Sequence, residues 1–446
     1  MQSLSQENGQ SCCGTMVEKV IYELERIKRD ARFNSVIYVD QSVSLELARE
    51  ADSRNARGEI RPLDGLTFTV KDNLWIKGWK STFGSILYKD FIAEESSWIV
   101  DRLIQSGAIP IGITACSELA CMGVTNTPLH GITAHPADLS KTPGGSSGGA
   151  VTAVARNIGD FAVATDAGGS IRRPAGLCGV VGFKPTLGAI PNPRGFKDPN
   201  FLLNTIGFIT REVHLVKRLF EHSVSVCCDD PLSVPILSAD IRKKFNPGCV
   251  RAVYIPTLGG FKVDQHVSKN VSAAVDLLRG HGLDIVENDN LLGRKVEPYE
   301  LLSLQNAALA AFYSQHSEIL HPNLQEQIEL GKSVTPEQIF LSLLKFQALS
   351  AMVDRVFDQY DFLFTLSNPV TAWEHADLSP RYIGGELASL RDHAAFTPLF
   401  NYAGCPAINI PLKRSDKMLS VGIQVIARKY RDWELLDFAE HISEII

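Results

Sequence analysis

The sequence predicts an α/β fold in which a mixed β-sheet core is covered by helices on both faces. In several segments apolar residues recur every three or four positions, which is typical of amphipathic helices. Most of these segments are followed by a short apolar, β-branched run of the kind that forms buried strands. No Pro-, Gly- or Ser-rich linker divides the chain convincingly, and this favours one large domain.

The N-terminal third begins with a polar stretch. Residues 1–14 lack an apolar period and are expected to form a flexible segment, which leaves 15–446 as the folded domain. The elements predicted next are, in chain order, a helix over 17–27, a helix that contains Leu45 and stops near Gly58, a strand over 66–70, a helix over about 94–106, a strand over 108–113, a helix from near Gly148 and a strand over 161–165.

The rest of the chain continues the alternation after a loop-like stretch from Pro191 to Asn204. The predicted elements are a helix over 267–279, a strand over 283–286, a long helix over 335–360, a strand over 362–366, strands near 407–410 and 420–426, and a final helix from Trp433.

Composition excludes several classes of protein. The chain has 446 residues and a formal charge of −6, and without a long basic run it shows no electrostatic footprint for nucleic acid. No signal peptide and no uninterrupted apolar run of roughly 18 residues is present, so we expect no membrane association and a cytoplasmic location. Nine cysteines without a CxxC or a Cys/His zinc spacing predict reduced structural thiols and neither metal nor cofactor.

The segment 142–191 is unusually rich in glycine, with eleven glycines. Two clusters contain serine, namely Gly144–Gly149 and Gly168-Gly169-Ser170. Glycine allows the backbone to adopt positive φ or to approach other groups closely. A serine in such a turn lies among backbone N–H groups that can hold a developing oxyanion.

Several interpretations compete for these glycines. A phosphate-binding loop requires a lysine where Ala150 and Val151 stand. A nucleophile elbow centred on Ser146 fits the pattern GxSxG, but it requires a strand directly before it, and residues 141–143 are not a strand-forming run. Tight turns without chemistry are a third interpretation. A fourth interpretation uses both serines together with a lysine.

Three motifs resemble the amidase signature family, whose hydrolases use a Ser–cis-Ser–Lys triad. They are TVKDN around Lys71, GGSSGG around Ser146 and DAGGSIR around Ser170, and the resemblance extends from about Leu45 to the end of the chain. It implies that Ser170 is the nucleophile, Ser146 the bridging residue and Lys71 the base. A serine nucleophile needs a base within hydrogen-bond reach, and Lys71 can serve only as a neutral amine.

The resemblance also implies roles for the neighbours of the triad. The Gly145–Ser146 peptide is expected to be cis, and Gly145 is expected to contact substrate. The oxyanion hole is assigned to the N–H groups of Ala167, Gly168, Gly169 and Ser170. Structural support is assigned to Ser147, Thr165, Asp166 and Arg172.

Three further residues are candidates for substrate binding. Arg173 is three residues past the proposed nucleophile and is suited to holding a substrate carboxylate bidentately. Trp373 and His375 fall where the family builds its pocket walls. The sequence therefore predicts an amidase for a small amide, with a carboxylate on the substrate as the feature that Arg173 would recognise.

Three alternatives remain open. The first is the glutaminase component of a tRNA-dependent amidotransferase, although its glutamine-binding arginine and acid fall near Gln327 and Ala394. The second is a catalytically silent scaffold paralogue, against which the presence of all three triad residues argues. The third is a conventional esterase with Ser146 as nucleophile. The sequence leaves open a homodimer and an accessory subunit.

Overall fold

A computed structural model describes residues 14–236, 247–297, 301–413 and 419–446. Of the predicted flexible segment 1–14, only the exposed Gly14 lies inside the described residues. The described chain forms one eleven-stranded mixed sheet, two small two-stranded sheets and twelve α-helices. The predicted α/β class and the mixed sheet are therefore confirmed.

The helices are distributed along the whole described chain. Their bounds are α1 Met16–Arg29, α2 Gln41–Ala56, α3 Trp98–Gln105, α4 Gly148–Ala155, α5 Arg172–Cys178, α6 Val213–Glu221, α7 Gln265–Gly280, α8 Leu302–Tyr313, α9 Pro322–Lys332, α10 Pro336–Val356, α11 Pro398–Tyr402 and α12 Asp432–Ser443. Among the described residues, none of these helices combines the length and apolar character needed to cross a bilayer.

The strands alternate with the helices. Their bounds are β1 Val36–Tyr38, β2 Thr67–Lys71, β3 Ile109–Thr114, β4 Asn126–Thr127, β5 Gly131–Ile132, β6 Phe161–Asp166, β7 Val181–Lys184, β8 Thr205–Thr210, β9 Arg251–Tyr254, β10 Asp284–Glu287, β11 Phe362–Leu366, β12 Tyr382–Ile383, β13 Glu386–Leu387, β14 Ala407–Pro411 and β15 Gly422–Ala427.

The large sheet has the strand order β1-β3-β2-β6-β8-β7-β14-β15-β11-β9-β10. Strand β2 runs parallel to both β3 and β6, and β9 runs parallel to both β10 and β11. The pairs from β6 through β8, β7, β14 and β15 to β11 are all antiparallel. Two parallel groups are thus joined by an antiparallel centre.

Both faces of the sheet are covered, as the alternation of side chains along β6 shows. Phe161 and Val163 belong to the largest apolar cluster, whereas Ala162 and Ala164 belong to a second cluster that includes residues of α4 and α5. Successive strand residues point to opposite faces. The small alanines allow α4 to pack closely on one face, and the aromatic rings fill the other.

Helix boundaries differ from the prediction where other segments compete for the backbone. The helix predicted over about 94–106 begins at Trp98, because the hydroxyls of Ser96 and Ser97 accept hydrogen bonds from the N–H groups of Lys77 and Trp75. The stretch from Pro191 to Asn204 contains no helix or strand, as predicted. Helices α5, α6, α8, α9 and α11 and strands β1, β4, β5, β7, β8, β9, β12 and β13 were not predicted.

Candidate active site

The three proposed catalytic residues lie in or next to neighbouring elements at one edge of the sheet. Lys71 is the last residue of β2, Ser146 lies two residues before α4, and Ser170 lies in the turn between β6 and α5. Because β2 and β6 are parallel neighbours, their carboxyl ends meet at the same edge. The sheet topology therefore brings the β2 lysine to the end of β6, where the Ser170 turn begins.

Lys71 is fully buried and hydrogen bonded. Its Nζ lies 2.8 Å from Ser146 Oγ, 3.1 Å from Thr165 Oγ1 and 3.3 Å from the Thr165 carbonyl oxygen. Burial disfavours the charged ammonium and lowers the pKa of Lys71 to about 8, although nearby groups such as Cys116 act in the opposite direction. A substantial neutral fraction of this amine is therefore present near neutral pH.

The serine next to Lys71 lies in a tightly packed turn. The peptide bond between Gly145 and Ser146 is cis. A Cβ atom on Gly145 would lie 2.9 Å from backbone atoms of the segment 122–124, so only glycine fits without movement. Next to Ser146, the buried Oγ of Ser147 has no hydrogen-bond partner among the described residues, whereas its carbonyl oxygen accepts from the N–H of Val151.

The turn that carries Ser170 presents free backbone donors. The N–H groups of Ala167, Gly168 and Ser170 have no hydrogen-bond partner in the described part of the chain. The N–H of Gly169 is different, because it donates to Asp166 Oδ1 over 2.7 Å. The expectation that all four N–H groups serve an oxyanion is therefore corrected, and three donors remain.

A buried ion pair holds this turn in place. The guanidinium of Arg172 donates to the carboxylate of Asp166, and both side chains are fully buried. Burial works against the charged carboxylate, but the Arg172 charge and its hydrogen bonds outweigh it and hold the pKa of Asp166 well below its usual range. Arg172 also donates to the Thr397 carbonyl and to Gln424 Oε1.

Ser170 lines a cavity of about 570 Å³. Most of its wall is apolar, and leucines from α8, from α10 and from the loop before β8 contribute much of it. Besides Ser170, Cys121 and Tyr402, the charged and polar lining residues are Asn200, Arg173, Gln305, Asn323, Arg391, His393 and Lys429. Among the described residues, no aspartate or glutamate lines this cavity. The cavity is thus apolar in bulk with a net cationic lining.

Arg173 is buried in the cavity wall beside the Ser170 turn. Its Nη1 lies 3.0 Å from His393 Nδ1, and its Nε has no hydrogen-bond partner among the described residues. In the described part of the chain no carboxylate pairs with this guanidinium. A buried arginine without an acidic partner is unusual, because uncompensated charge is costly to bury.

Three of the residues predicted to contact substrate do not line the cavity, namely Gly145, Trp373 and His375. Trp373 is buried, and its ring packs against that of His393 with a centroid distance of 5.1 Å and an interplanar angle of 44°, while its Nε1 donates to the Asp377 carbonyl. His375 lies two residues later in the chain, and its backbone N–H donates to the Ser140 carbonyl. This segment pairs with residues 140–142 through backbone hydrogen bonds.

Several cavity residues carry no sequence signal. His393 and Arg391 lie in an ordinary polar stretch more than two hundred residues from Ser170. Gln327 accepts a hydrogen bond from Arg391 Nη2 over 3.1 Å, and Ala394 is fully buried, so neither supplies a charge to the cavity. Only the three-dimensional arrangement identifies these residues.

Comparison with known proteins identifies the family. The amidase family model matches residues 18–436. The chain belongs to the amidase family. The glutamyl-tRNA(Gln) amidotransferase A-component of Prochlorococcus marinus (strain MIT 9312) is 30% identical over 455 residues, which cover 93% of this chain and 92% of the relative.

Two further comparisons agree on the fold and family. The same amidotransferase component of Brachyspira hyodysenteriae (strain ATCC 49526 / WA1) is 29% identical over 95% of this chain and 94% of its own length. A crystal structure of an amidase, 26% identical, covers 96% of both chains with a TM-score of 0.84. The protein is thus an amidohydrolase that acts on C–N amide bonds.

Proposed function

We propose that this amidase hydrolyses amides that carry a carboxylate, through an acyl-enzyme on Ser170 with Ser146 as proton relay and Lys71 as base. One observation carries the proposal. Ser170 lines a cavity whose buried Arg173 has no described acidic partner, while Lys71 Nζ lies 2.8 Å from Ser146 Oγ. The proposed nucleophile, Ser170, and the proposed carboxylate-binding residue, Arg173, therefore line the same cavity.

The base chemistry follows from the position of Lys71. Its neutral amine can take a proton from Ser146 Oγ, which in turn accepts the proton that Ser170 loses as it attacks the amide carbon. Thr165 fixes the amine from the other side through its hydroxyl and its carbonyl oxygen. Burial lowers the pKa of Lys71 to about 8 and so increases the neutral fraction that can act as base.

The oxyanion that forms on the carbonyl oxygen needs donors from the backbone. The free N–H groups of Ala167, Gly168 and Ser170 are candidates, and Gly169 N–H stays on Asp166. Loss of one such donor typically costs about 3 kcal/mol of transition-state stabilisation. The buried Asp166–Arg172 pair therefore contributes by holding the turn in shape.

The proposed cycle has two steps, acylation of Ser170 and hydrolysis of the acyl-enzyme. In the first, the Ser170 Oγ–carbonyl bond forms and the C–N bond breaks, while the protonated Lys71 returns a proton through Ser146 to the leaving amine. In the second, a water molecule loses a proton along the same route and attacks the acyl-enzyme. The bond between Ser170 Oγ and the acyl carbon then breaks, the carboxylic acid product leaves, and protonated Lys71 returns the proton through Ser146 to Ser170.

The cavity lining indicates the kind of substrate. Arg173, Arg391 and Lys429 make the lining cationic, which favours an anionic group on the amide. The leucine-rich remainder and the volume of about 570 Å³ suit a hydrocarbon portion larger than that of the smallest amides. The proposal is an amide with one carboxylate and an apolar segment.

A glutaminase function is the second candidate, because the relatives compared above carry the name of an amidotransferase component. Bound glutamine presents an ammonium group as well as a carboxylate, and a buried ammonium needs an acidic partner. The described cavity lining offers Arg173 for the carboxylate but no acid for the ammonium. A catalytically silent scaffold is disfavoured because it does not need the buried Lys71–Ser146 contact.

A fluorophosphonate probe followed by peptide mass spectrometry tests the nucleophile. We expect the label on Ser170 and a severe loss of labelling in Lys71→Ala and Ser146→Ala. Ser147→Ala is the matched control, since the neighbouring Ser147 hydroxyl has no described partner. Label on Ser146 that persists in Lys71→Ala would replace the proposal with a conventional esterase.

Two chromogenic amides test the substrate. Glutaryl p-nitroanilide and valeryl p-nitroanilide have acyl chains of equal length, and only the first carries a carboxylate. We expect the wild type to prefer the glutaryl compound and Arg173→Leu to lose roughly 10- to 100-fold of that preference, the range set by hydrogen bonds to charged groups. Ammonia release from L-glutamine at a higher kcat/KM would favour the glutaminase instead.

The same preparations test the assembly. We propose that the chain either forms a homodimer or binds an accessory subunit, since the relatives named above are components of an amidotransferase. Light scattering of the purified protein gives its mass directly. A strict monomer would exclude the homodimer, and activity of the purified chain alone toward the glutaryl compound would exclude an accessory subunit that hydrolysis requires.

A further inference from the structure

His393 lies directly behind the arginine that the proposed function assigns to the substrate carboxylate. It belongs to a short 3₁₀ turn, Asp392–Ala394, and its Nδ1 is 3.0 Å from Arg173 Nη1. Both side chains are buried and both line the cavity of Ser170. The pair connects α5, which follows the nucleophile, to a segment 220 positions later in the chain.

The direction of this hydrogen bond follows from the chemistry of the two groups. A guanidinium has only donors, so His393 Nδ1 must be the acceptor and the ring proton must be on Nε2. The ring is therefore neutral. Burial, followed by the charges of Arg173 and Arg391, holds the pKa of His393 well below its usual value, which agrees with the geometry.

The imidazole ring itself has little room to move. Trp373 packs against it in a tilted arrangement, with a ring-centroid distance of 5.1 Å and an interplanar angle of 44°. Gly123 packs on another side so closely that a Cβ atom there would lie 2.3 Å from His393 Cε1 and 2.5 Å from Nε2. The tryptophan and the glycine thus fix the ring, and the ring fixes one end of the Arg173 guanidinium.

The remaining donors of Arg173 are left for another partner. Its Nε makes no hydrogen bond to a described residue and lies close to Gly169, where an added Cβ would be 2.9 Å away. Its backbone carbonyl is held by Asn368 Nδ2 over 2.9 Å. The backbone carbonyl and Nη1 of Arg173 thus have hydrogen-bond partners, and its Nε lies beside the Ser170 turn.

We propose that His393 is a positioning residue that holds the Arg173 guanidinium in the catalytic cavity and thereby sets the preference for carboxylate-bearing amides. The inference rests on the proposed function, because it requires Arg173 to bind the carboxylate. His393 acts through Arg173 and takes no part in the proton transfers. Trp373, which was predicted to form a pocket wall, contacts the His393 ring and so acts on Arg173 only through His393.

Three substitutions in the full chain separate an acceptor role from packing. Asn places an oxygen near the Nδ1 position, Gln places its oxygen near the Nε2 position, and Leu has no acceptor. We expect His393→Leu and His393→Gln to lower the ratio of kcat/KM for glutaryl over valeryl p-nitroanilide by roughly 10-fold. His393→Asn is expected to keep most of the ratio, with the loss in the other two variants mainly in KM for the glutaryl compound.

A second measurement needs no turnover. Glutarate is expected to slow fluorophosphonate labelling of Ser170 in the wild type and in His393→Asn more strongly than valerate does, and to lose this advantage in His393→Leu and His393→Gln. Fluorescence melting curves identify any variant that fails to fold, and His375→Leu is the matched control because His375 does not line the cavity.

The outcomes separate the two proposals. If the wild type does not distinguish glutaryl from valeryl, or if Arg173→Leu keeps the preference, the proposed substrate class fails. If Arg173→Leu loses the preference but His393→Leu and His393→Gln keep it, only the inference about His393 is overturned. Equal losses for Asn, Gln and Leu, or equal losses for both amides, would also overturn it, because packing would then explain the effect.

Discussion

The buried position of Lys71 determines how activity should depend on pH. Only the neutral amine can accept a proton, so activity must rise with pH through the pKa of about 8. At pH 7 about one-tenth of the lysine is neutral and at pH 9 about nine-tenths, whereas at its ordinary pKa of about 10.4 less than about one-thousandth would be neutral at pH 7. The rate of Ser170 labelling is thus expected to rise about tenfold between these pH values.

The same lowering of the Lys71 pKa means that this residue destabilises the folded chain at neutral pH. Its pKa is lower in the folded chain than in the unfolded chain, so the unfolded state binds more protons between about pH 8 and 10.5, and stability rises across that window. The shift from 10.5 to about 8 corresponds to a penalty on the order of 3 kcal/mol at neutral pH. The hydrogen bonds to Ser146 and Thr165 offset part of it, at about 1 kcal/mol each.

Lys71→Met removes both the penalty and the hydrogen bonds. We expect the variant to be inactive, and its unfolding free energy relative to wild type to fall by about 2 kcal/mol between pH 7 and pH 9.5, because the lost hydrogen bonds contribute equally at both pH values. Urea unfolding followed by tryptophan fluorescence measures this difference. A labelling rate that is flat or maximal near pH 5, or a stability difference that does not change with pH, would refute the assignment of a neutral lysine base.

Other perturbations follow from packing and burial. Asp166→Asn leaves a fully buried arginine without its counter-charge and is expected to cost about 3–5 kcal/mol in urea unfolding; a wild-type midpoint would contradict this. Gly145→Ala pushes a Cβ to 2.9 Å from neighbouring backbone and is expected to cost about 1–3 kcal/mol, whereas Gly195→Ala, with open space around it, should be silent by the same measurement. Cys121 lines the cavity, and burial raises its thiol pKa to about 12, so mass spectrometry after iodoacetamide treatment should find exposed Cys249 alkylated well before Cys121.

Local patterns predicted the parts of the fold that short segments decide. The strand that ends at Lys71 is an apolar, β-branched run, and the structure has it over Thr67–Lys71. Strand β8 was missed because Gly207 interrupts its short apolar run, and its place is set by pairing with β6 and β7. Helix α8 was missed because its apolar residues are spread around the helix, part of which lines the cavity.

Some residues of the site could likewise be predicted from local patterns, and others could not. The residues around Lys71, Ser146 and Ser170 lie in short glycine-rich motifs, so their identity could be proposed from sequence. The role of Gly169 could not, because its N–H could serve either an oxyanion or Asp166, and only the folded turn decides between them. His393 was missed for a different reason, since its contact with Arg173 joins positions 220 apart.

The order of strands in the sheet has a consequence for how the chain reaches its active form. Strands β14 and β15 are the last to be synthesised, yet they lie between β7 and β11. Until they are available, those two strands have unpaired edges, which are prone to join other chains. Gln424, a partner of the buried Arg172, belongs to this late segment. In a nascent chain the contact between Arg172 and Gln424 therefore forms only after the C-terminal strands insert, whereas both members of the Asp166–Arg172 pair are synthesised earlier.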